Sequence, residues 1–270
     1  SIRYGKIFRV SRAGRSSEFA APEGMEGVLG LRVDARRRQL WAVASYMPGV
    51  EAYRKERDGE AGVYRFDLDN GALLARYPLS NTDARHNLND VVVSKRGTAY
   101  ITDGYTGAIY TIDPTRDRLE VLLEPGSTYG PNGIALSADE RRLYVSQYSL
   151  GVVVCDLERG TVEPMRYPED VVVCGVDGLY FYRGSLVAIQ NFLGMQQVSQ
   201  FYLDGAGEAI TGGRVLVRQD PHMMDPTTGA LVGDHLFFIA NSQLPRVGQD
   251  GSSPPPDVFD DTYILDLVIE

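Results

Sequence analysis

A chain of 270 residues has room for one repeat domain or two ordinary ones, and no linker-like stretch divides residues 1–270. Its formal charge of −9 and pI near 4.9 argue against nucleic acid as a partner, because phosphate recognition wants a basic face. No apolar run approaches the roughly 18 residues that a membrane span needs.

In chain order, the first elements are two strands, Tyr4–Val10 and Ser16–Ala20, with no hairpin before them. A hairpin follows, Gly30–Asp34 into Gln39–Val43, turning through the solvated basic run Arg36–Arg38. The polar segment Tyr46–Gly62 reads as an exposed loop, and Gly62–Asp67 as a third strand. The second hairpin, Asn89–Val93 into Ala99–Asp103, is followed by the strand Gly107–Asp113 and a weaker fourth, Leu119–Leu123. The third, Gly133–Ser137 into Leu143–Ser146, is followed by Gly151–Asp156. The fourth is Asp177–Phe181 into Leu186–Gln190, and the fifth Thr228–Val232 into Leu236–Ile239. A Pro-rich loop, Gly248–Pro256, leads to the strand Thr262–Val268, after which no fourth strand comes.

A recurring hairpin marks a repeat architecture, and its period decides which. Taking Gly30, Asp90, Gly133, Gly178 and Gly229 as equivalent, the steps are 60, 43, 45 and 51 residues. Single-strand solenoid repeats run to about 20–30 residues and four-stranded propeller blades to about 40–50. The expected fold is therefore all-β, a single β-propeller domain with blades beginning near Met25, Arg85, Tyr129, Gly175 and Met224. Five hairpins plus an orphan outer half at the N-terminus suggest six blades, the first incomplete, with roughly 20 or more residues preceding Ser1 by the blade period. Five blades, with the N-terminal strands completing the last, is the alternative. Any signal peptide would lie in the same preceding stretch, so the compartment stays open. The two cysteines, Cys155 and Cys174, lack zinc-site spacing and read as buried free thiols.

In a blade the first strand lines the central channel and the second runs antiparallel beside it. First-strand starts and second-strand ends thus share one end of the channel. Asn89, Asn132, Asp177 and either Asp225 or Thr228 stand at the starts; Ser45, Asp103, Gln147, Asn191 and Asn241 stand at the ends. Amide and carboxylate oxygens are what a hard cation such as calcium takes as ligands. Asn-Asp, Asn-Gly and Asp-Gly are also ordinary turn sequences; what favours a site is that all three fall in register. His86, three residues before Asn89, is a candidate proton carrier or a hydrogen-bonded loop histidine. His222 is similar, and His235 sits in a turn. No Gly-x-Ser-x-Gly elbow, phosphate loop or His-Glu-x-x-His pattern occurs.

The runs HNLNDVVVSKRGTAYITDG, YGPNGIALSADERRLYVSQ and CGVDGLYFYRGSLVAIQN resemble the senescence-marker-protein (regucalcin), gluconolactonase and luciferin-regenerating group over about residues 4–245. Strictosidine-synthase-like and paraoxonase-like propellers are more distant relatives. The resemblance implies a six-bladed propeller holding one divalent metal, usually calcium, and a metal-dependent lactone or ester hydrolase. It makes Asn132 and Asp177 metal ligands and Asn89 a ligand or a contact for substrate or water. Asp177 and His86 would serve catalysis beside Asn89. Asp103, Gln147, Asn191, Asn241 and Asp225 would contact a small-molecule substrate. The family's first-blade Glu has no counterpart here: Pro22-Glu23-Gly24 precedes its strand by several residues, and Leu29 holds the register. Its role is therefore not carried to Glu23 or Glu26. A non-catalytic propeller binding a ligand or protein at the same mouth is the alternative, and a strictosidine-synthase-like enzyme the third.

Overall fold

The computed structural model describes residues 1–51, 53–248, 252 and 254–270. It divides into two compact units, one of residues 1–125 and 246–254, the other of residues 126–245 and 255–270. Helix is limited, among the described residues, to short 3-10 turns such as Lys55–Arg57 and Phe192–Gly194.

The first unit begins with a two-stranded ribbon, β1 (Ile7–Val10) and β2 (Ser16–Ala20), which forms a sheet of its own. Two antiparallel four-stranded meanders follow. One is β3 (Val28–Asp34), β4 (Gln39–Ser45), β5 (Ala61–Asp67) and β6 (Leu73–Leu79). The next is β7 (Leu88–Val93), β8 (Ala99–Asp103), β9 (Ile109–Ile112) and β10 (Leu119–Leu123). The second unit holds β11 (Pro131–Leu136), β12 (Arg142–Gln147), β13 (Gly151–Asp156) and β14 (Thr161–Pro164), then β15 (Val176–Tyr182), β16 (Ser185–Gln190), β17 (Gln197–Leu203) and β18 (Ile210–Arg218). Its last sheet has three strands, β19 (Gly229–Val232), β20 (His235–Ile239) and β21 (Ile264–Val268). Among the described residues there are thus five blade-type sheets, the last of three strands, plus the ribbon of an outer half.

Why these sheets stack is written in the alternation along their second strands. Successive side chains point to opposite faces of a sheet, yet β4 and β16 are apolar and buried almost throughout. In β16, Leu186 and Ala188 join the cluster built with Ala135, Tyr144 and Val154 of the preceding meander. Val187 and Ile189 join Leu236 and Phe238 of the following one. In β4, Ala42 and Ala44 pack with Ile7 and Ala20 of the ribbon, whereas Trp41 and Val43 pack with Leu88, Val91 and Ile101. A strand buried on both faces belongs between two sheets. Each buried aliphatic side chain contributes about 1.5–3 kcal/mol.

Two expectations are corrected. The polar segment 46–62 is not wholly exposed: Tyr46 and Val50 are buried, and the Tyr46 and Tyr53 rings stack at 5.7 Å. Its aromatic residues give the loop a small core of its own. Cys174 is only half-buried, while Cys155 is buried and its thiol pushed up to about 12 by burial; both are free. The Pro-rich loop 248–256 falls partly outside the described residues. No helix among the described residues is long and apolar enough to cross a membrane.

Candidate functional site

The four complete meanders share one irregularity, and it lies where sequence placed the candidate ligands. The ladder steps from Val28↔Ala44 to Leu31↔Ala42, from Leu88↔Asp103 to Val91↔Ile101, from Pro131↔Gln147 to Ile134↔Val145, and from Val176↔Gln190 to Leu179↔Ala188. In each case two residues of the first strand face one of the second, which is a β-bulge. A bulge bends its strand and re-aims a side chain. The bulged pairs are Leu29-Gly30, Asn89-Asp90, Asn132-Gly133 and Asp177-Gly178.

The second residue of three of these pairs is glycine because another backbone lies against it. A Cβ on Gly133 would stand 2.4 Å from the carbonyl oxygen of Asp177, and one on Gly178 3.0 Å from that of Thr227. In the first unit, a Cβ on Gly30 would stand 2.7 Å from the carbonyl oxygen of Asn89. The missing side chains let neighbouring first strands touch at the bulge. Asn132 and Asp177 are thereby brought onto adjoining backbone. The same contact marks Thr227, rather than Thr228, as the matching residue of the last sheet.

Within the second unit a hydrogen-bonded chain fixes Asp177. Asn191 Nδ2 donates to Asp177 Oδ2 at 3.0 Å and to the Pro226 carbonyl at 2.9 Å. Tyr148 Oη donates to Asn191 Oδ1 at 2.6 Å. Burial, and after it the charges of Asp177 and Asp225, push the Tyr148 hydroxyl up to about 12, so it remains a neutral donor at ordinary pH. Its ring meets Phe192 edge-on at 5.5 Å. Below it, Ser146 Oγ donates to the Val176 carbonyl at 2.9 Å, tying β12 to the start of β15 just before the bulge. Asp177 is half-buried and Asn132 buried. Tyr148 escaped the sequence reading because it lies one residue past the strand end, although its place after Gln147 was the available signal.

The remaining second-unit candidates are used locally. Gln147 Oε1 accepts from the Tyr129 amide at 2.7 Å. The Asn241 carboxamide donates to the Asp261 carbonyl and accepts from the Tyr263 amide, both at 2.7 Å, clamping the chain that enters β21. Asp225 sits at φ 61 and accepts from the Ser242 hydroxyl. Burial raises its carboxyl above the usual range, the Ser242 hydrogen bond opposing. A cavity of about 400 Å³ opens beside Asn241, with His222, Asp260, Asp261 and Tyr263 on its wall.

In the first unit, Asn89 occupies its bulge and Ser45 Oγ donates to the Leu88 carbonyl at 3.2 Å. Asp103, expected to meet substrate, is wholly buried and fully engaged. Its oxygens accept from His86 Nδ1 at 2.7 Å, the Asn87 amide at 2.8 Å, the Tyr105 amide at 3.1 Å and the Thr106 hydroxyl at 2.8 Å. Burial pushes its carboxyl up, but the hydrogen bonds from His86, Asn87 and Thr106 outweigh that and hold it below the usual range. Asp103 is a turn-organising group that fixes the buried His86 ring, which also lies edge-on to Tyr110. Leu29, at the remaining bulge, packs against the apolar cluster around Trp41.

As to a metal, no group of three or more His, Cys, Asp or Glu side chains suited to hold one occurs among the described residues. The donors at the second-unit bulges are of another kind, an amide at Asn132 and a carboxylate at Asp177. An oxygen-only set fits a hard divalent cation such as calcium, and a single carboxylate makes it a weak site.

Comparison with known proteins bears on both fold and family. Solved structures align over most of the chain at low identity. A chain of a nidogen/laminin complex aligns at TM-score 0.62 and 15% identity, covering 88% of this chain and 83% of that one. A Xanthomonas campestris gluconolactonase aligns at 0.60 and 20%, covering 89% and 76%. A PQQ-bound aldose sugar dehydrogenase from Streptomyces coelicolor aligns at 0.62 and 16%, covering 99% and 89%. These likenesses show the fold, an all-β β-propeller. No curated protein matches the chain significantly by sequence. The family model described as SMP-30/Gluconolactonase/LRE-like region matches residues 1–173, and the chain belongs to that family.

Proposed function

We propose that this protein opens lactones by hydrolysis, in the manner of a gluconolactonase, at the bulge cluster of Asn132 and Asp177. The observation that carries the reading is Asp177 itself. It is a half-buried carboxylate, re-aimed by a bulge and held through one oxygen by Asn191, which Tyr148 holds in turn. A carboxylate fixed in this way is placed to take a proton from water as it attacks a carbonyl. Asn132 offers an amide beside it. Calcium held by Asp177 and Asn132 would polarise the lactone carbonyl as a Lewis acid. His86, buried against Asp103, is assigned to holding its loop.

The test is proton release from a panel of sugar and simple lactones, with calcium and with chelator. Turnover that chelator stops and that Asp177→Asn lowers by roughly 100-fold or more supports the reading. No release above the spontaneous rate with any lactone at saturating calcium sinks it. One observation favours a second reading, a non-catalytic module that binds a ligand at the same residues: Asp177 is the one carboxylate at the two second-unit bulges, which would hold a divalent cation weakly. Thermal stabilisation by a ligand without turnover is its signature.

A further inference from the structure

A cavity of about 350 Å³ opens in the first unit, away from the bulges, beside the segment 46–62. Its size falls at the low end of small-molecule pockets, roughly 300–1,000 Å³. Ala44 and Gly62 leave the space unfilled. One wall presents two carboxylates locked by a single cation. Arg57 Nη2 lies 2.6 Å from Glu26 Oε2 and 2.8 Å from Glu60 Oε2, and its guanidinium rests 4.1 Å from the centre of the Tyr46 ring. Glu26 and Glu60 are therefore positioned acceptors whose charge is only partly offset. Arg76 also lines the cavity, and its Nη2 donates to the Gly24 carbonyl at 3.5 Å. Its guanidinium lies 5.5 Å from the Tyr64 ring and close over Gly24, where a Cβ would stand 3.1 Å from Nη1. Two hydroxyls, Ser80 and Thr82, 2.8 Å apart and hydrogen-bonded to each other, also line it.

Acceptors that cannot donate, a guanidinium that cannot accept, and hydroxyls that do both are complementary to one kind of ligand. It must carry several hydroxyl groups, for Glu26, Glu60 and the two hydroxyls, and one carboxylate, for Arg76. We infer that this cavity binds a small polyhydroxylated carboxylate of sugar size. The inference does not depend on lactone opening at Asp177. Guanidinium is the right cation for the purpose, because its planar fork matches a carboxylate through two parallel bonds.

Titration calorimetry of the whole chain with D-gluconate, D-glucose and inorganic phosphate tests this. Gluconate is expected to bind, and Arg76→Ala to weaken it roughly ten- to a hundredfold. Arg76→Lys should recover part of the loss, and Ser80→Trp should block entry, while circular dichroism and thermal midpoint stay unchanged. No gluconate binding, or binding indifferent to both Arg76→Ala and Ser80→Trp, overturns the site. Glucose binding as tightly as gluconate overturns the carboxylate requirement. Phosphate binding as tightly overturns the polyol requirement.

Discussion

Asp103 and Asp177 are both aspartates at strand ends, and their surroundings set them apart. Asp103 closes a second strand in the first unit, where five donor groups, from His86, Asn87, Tyr105 and Thr106, converge on it and leave no surface. Asp177 stands at a first-strand bulge in the second unit, where the Asn191 amide donates to it and the residue is half-buried. Their blades are arranged in mirror fashion. One has an amide at the bulge, Asn89, and the acid at the second-strand end; the other has the acid at the bulge and an amide, Asn191, just past the second-strand end. An acid at the second-strand end meets the N–H groups of the turn that follows and is absorbed into structure. The acid at the bulge is re-aimed by the bent strand and held by the side-chain amide of Asn191.

The sharpest way to break this contrast is to remove each acid. Asp103→Ala would leave His86, three backbone amides and the Thr106 hydroxyl facing a buried void, and should destabilise the fold by about 3–5 kcal/mol. Asp177→Ala should leave urea unfolding nearly unchanged and instead abolish turnover. Equal destabilisation by the two would mean that Asp177 too is structural. The acid dependence follows in sign. Because the Asp103 carboxyl is held below its ordinary value in the fold, its stabilisation is complete above the usual carboxylate range. It is lost as pH falls through the depressed value. Asp103→Asn should flatten that part of the stability–pH curve.

A smaller effect tests whether Asp177 is held through its neighbours. Asn191→Ala removes the donor to Asp177, and should lower kcat by about tenfold with KM little changed, from a hydrogen bond to a charged group worth about 1.5–3 kcal/mol. Tyr148→Phe keeps the ring against Phe192 and removes only the donor to Asn191, so its loss should be severalfold, near 1 kcal/mol. A Tyr148→Phe effect as large as that of Asn191→Ala would place the phenol itself in the reaction.

The repeat and its register were legible because they rest on strand alternation and turn chemistry, which are local. Gly151–Asp156, Ser16–Ala20 and Leu119–Leu123 fold as strands at the bounds their sequences suggest. The bulges were not legible as such. Asn-Asp, Asn-Gly and Asp-Gly looked like turn residues at the openings of strands read as beginning at Asn89, Gly133 and Asp177. In fact β7, β11 and β15 start one residue before each pair, and the pair is taken up as the extra residue. The fate of Asp103 was hidden for a related reason. Its partners are a histidine seventeen positions away and backbone amides that exist only once the turn has formed. Whether an aspartate is consumed or exposed depends on the donors around it, and residue type carries no record of them.

The smallest expected effect concerns a third acid, intermediate between these two. Asp225 is partly buried with one hydroxyl partner, Ser242, and burial raises its carboxyl above the ordinary range. A carboxyl raised in the fold binds its proton more tightly there than in the unfolded chain. Stability is then greatest below the usual carboxylate value, and falls as pH rises from that value through the raised one. Asp225→Asn keeps an oxygen for Ser242, and asparagine tolerates the left-handed backbone at φ 61 better than most residues. The variant should therefore unfold at a slightly higher temperature than the parent at neutral pH, and the gap should close in acid. Thermal melts across that range decide it. A variant less stable at neutral pH would mean that the ionised Asp225 is held by a charge it needs, and would move it from the burdens of the second unit to its candidate ligands.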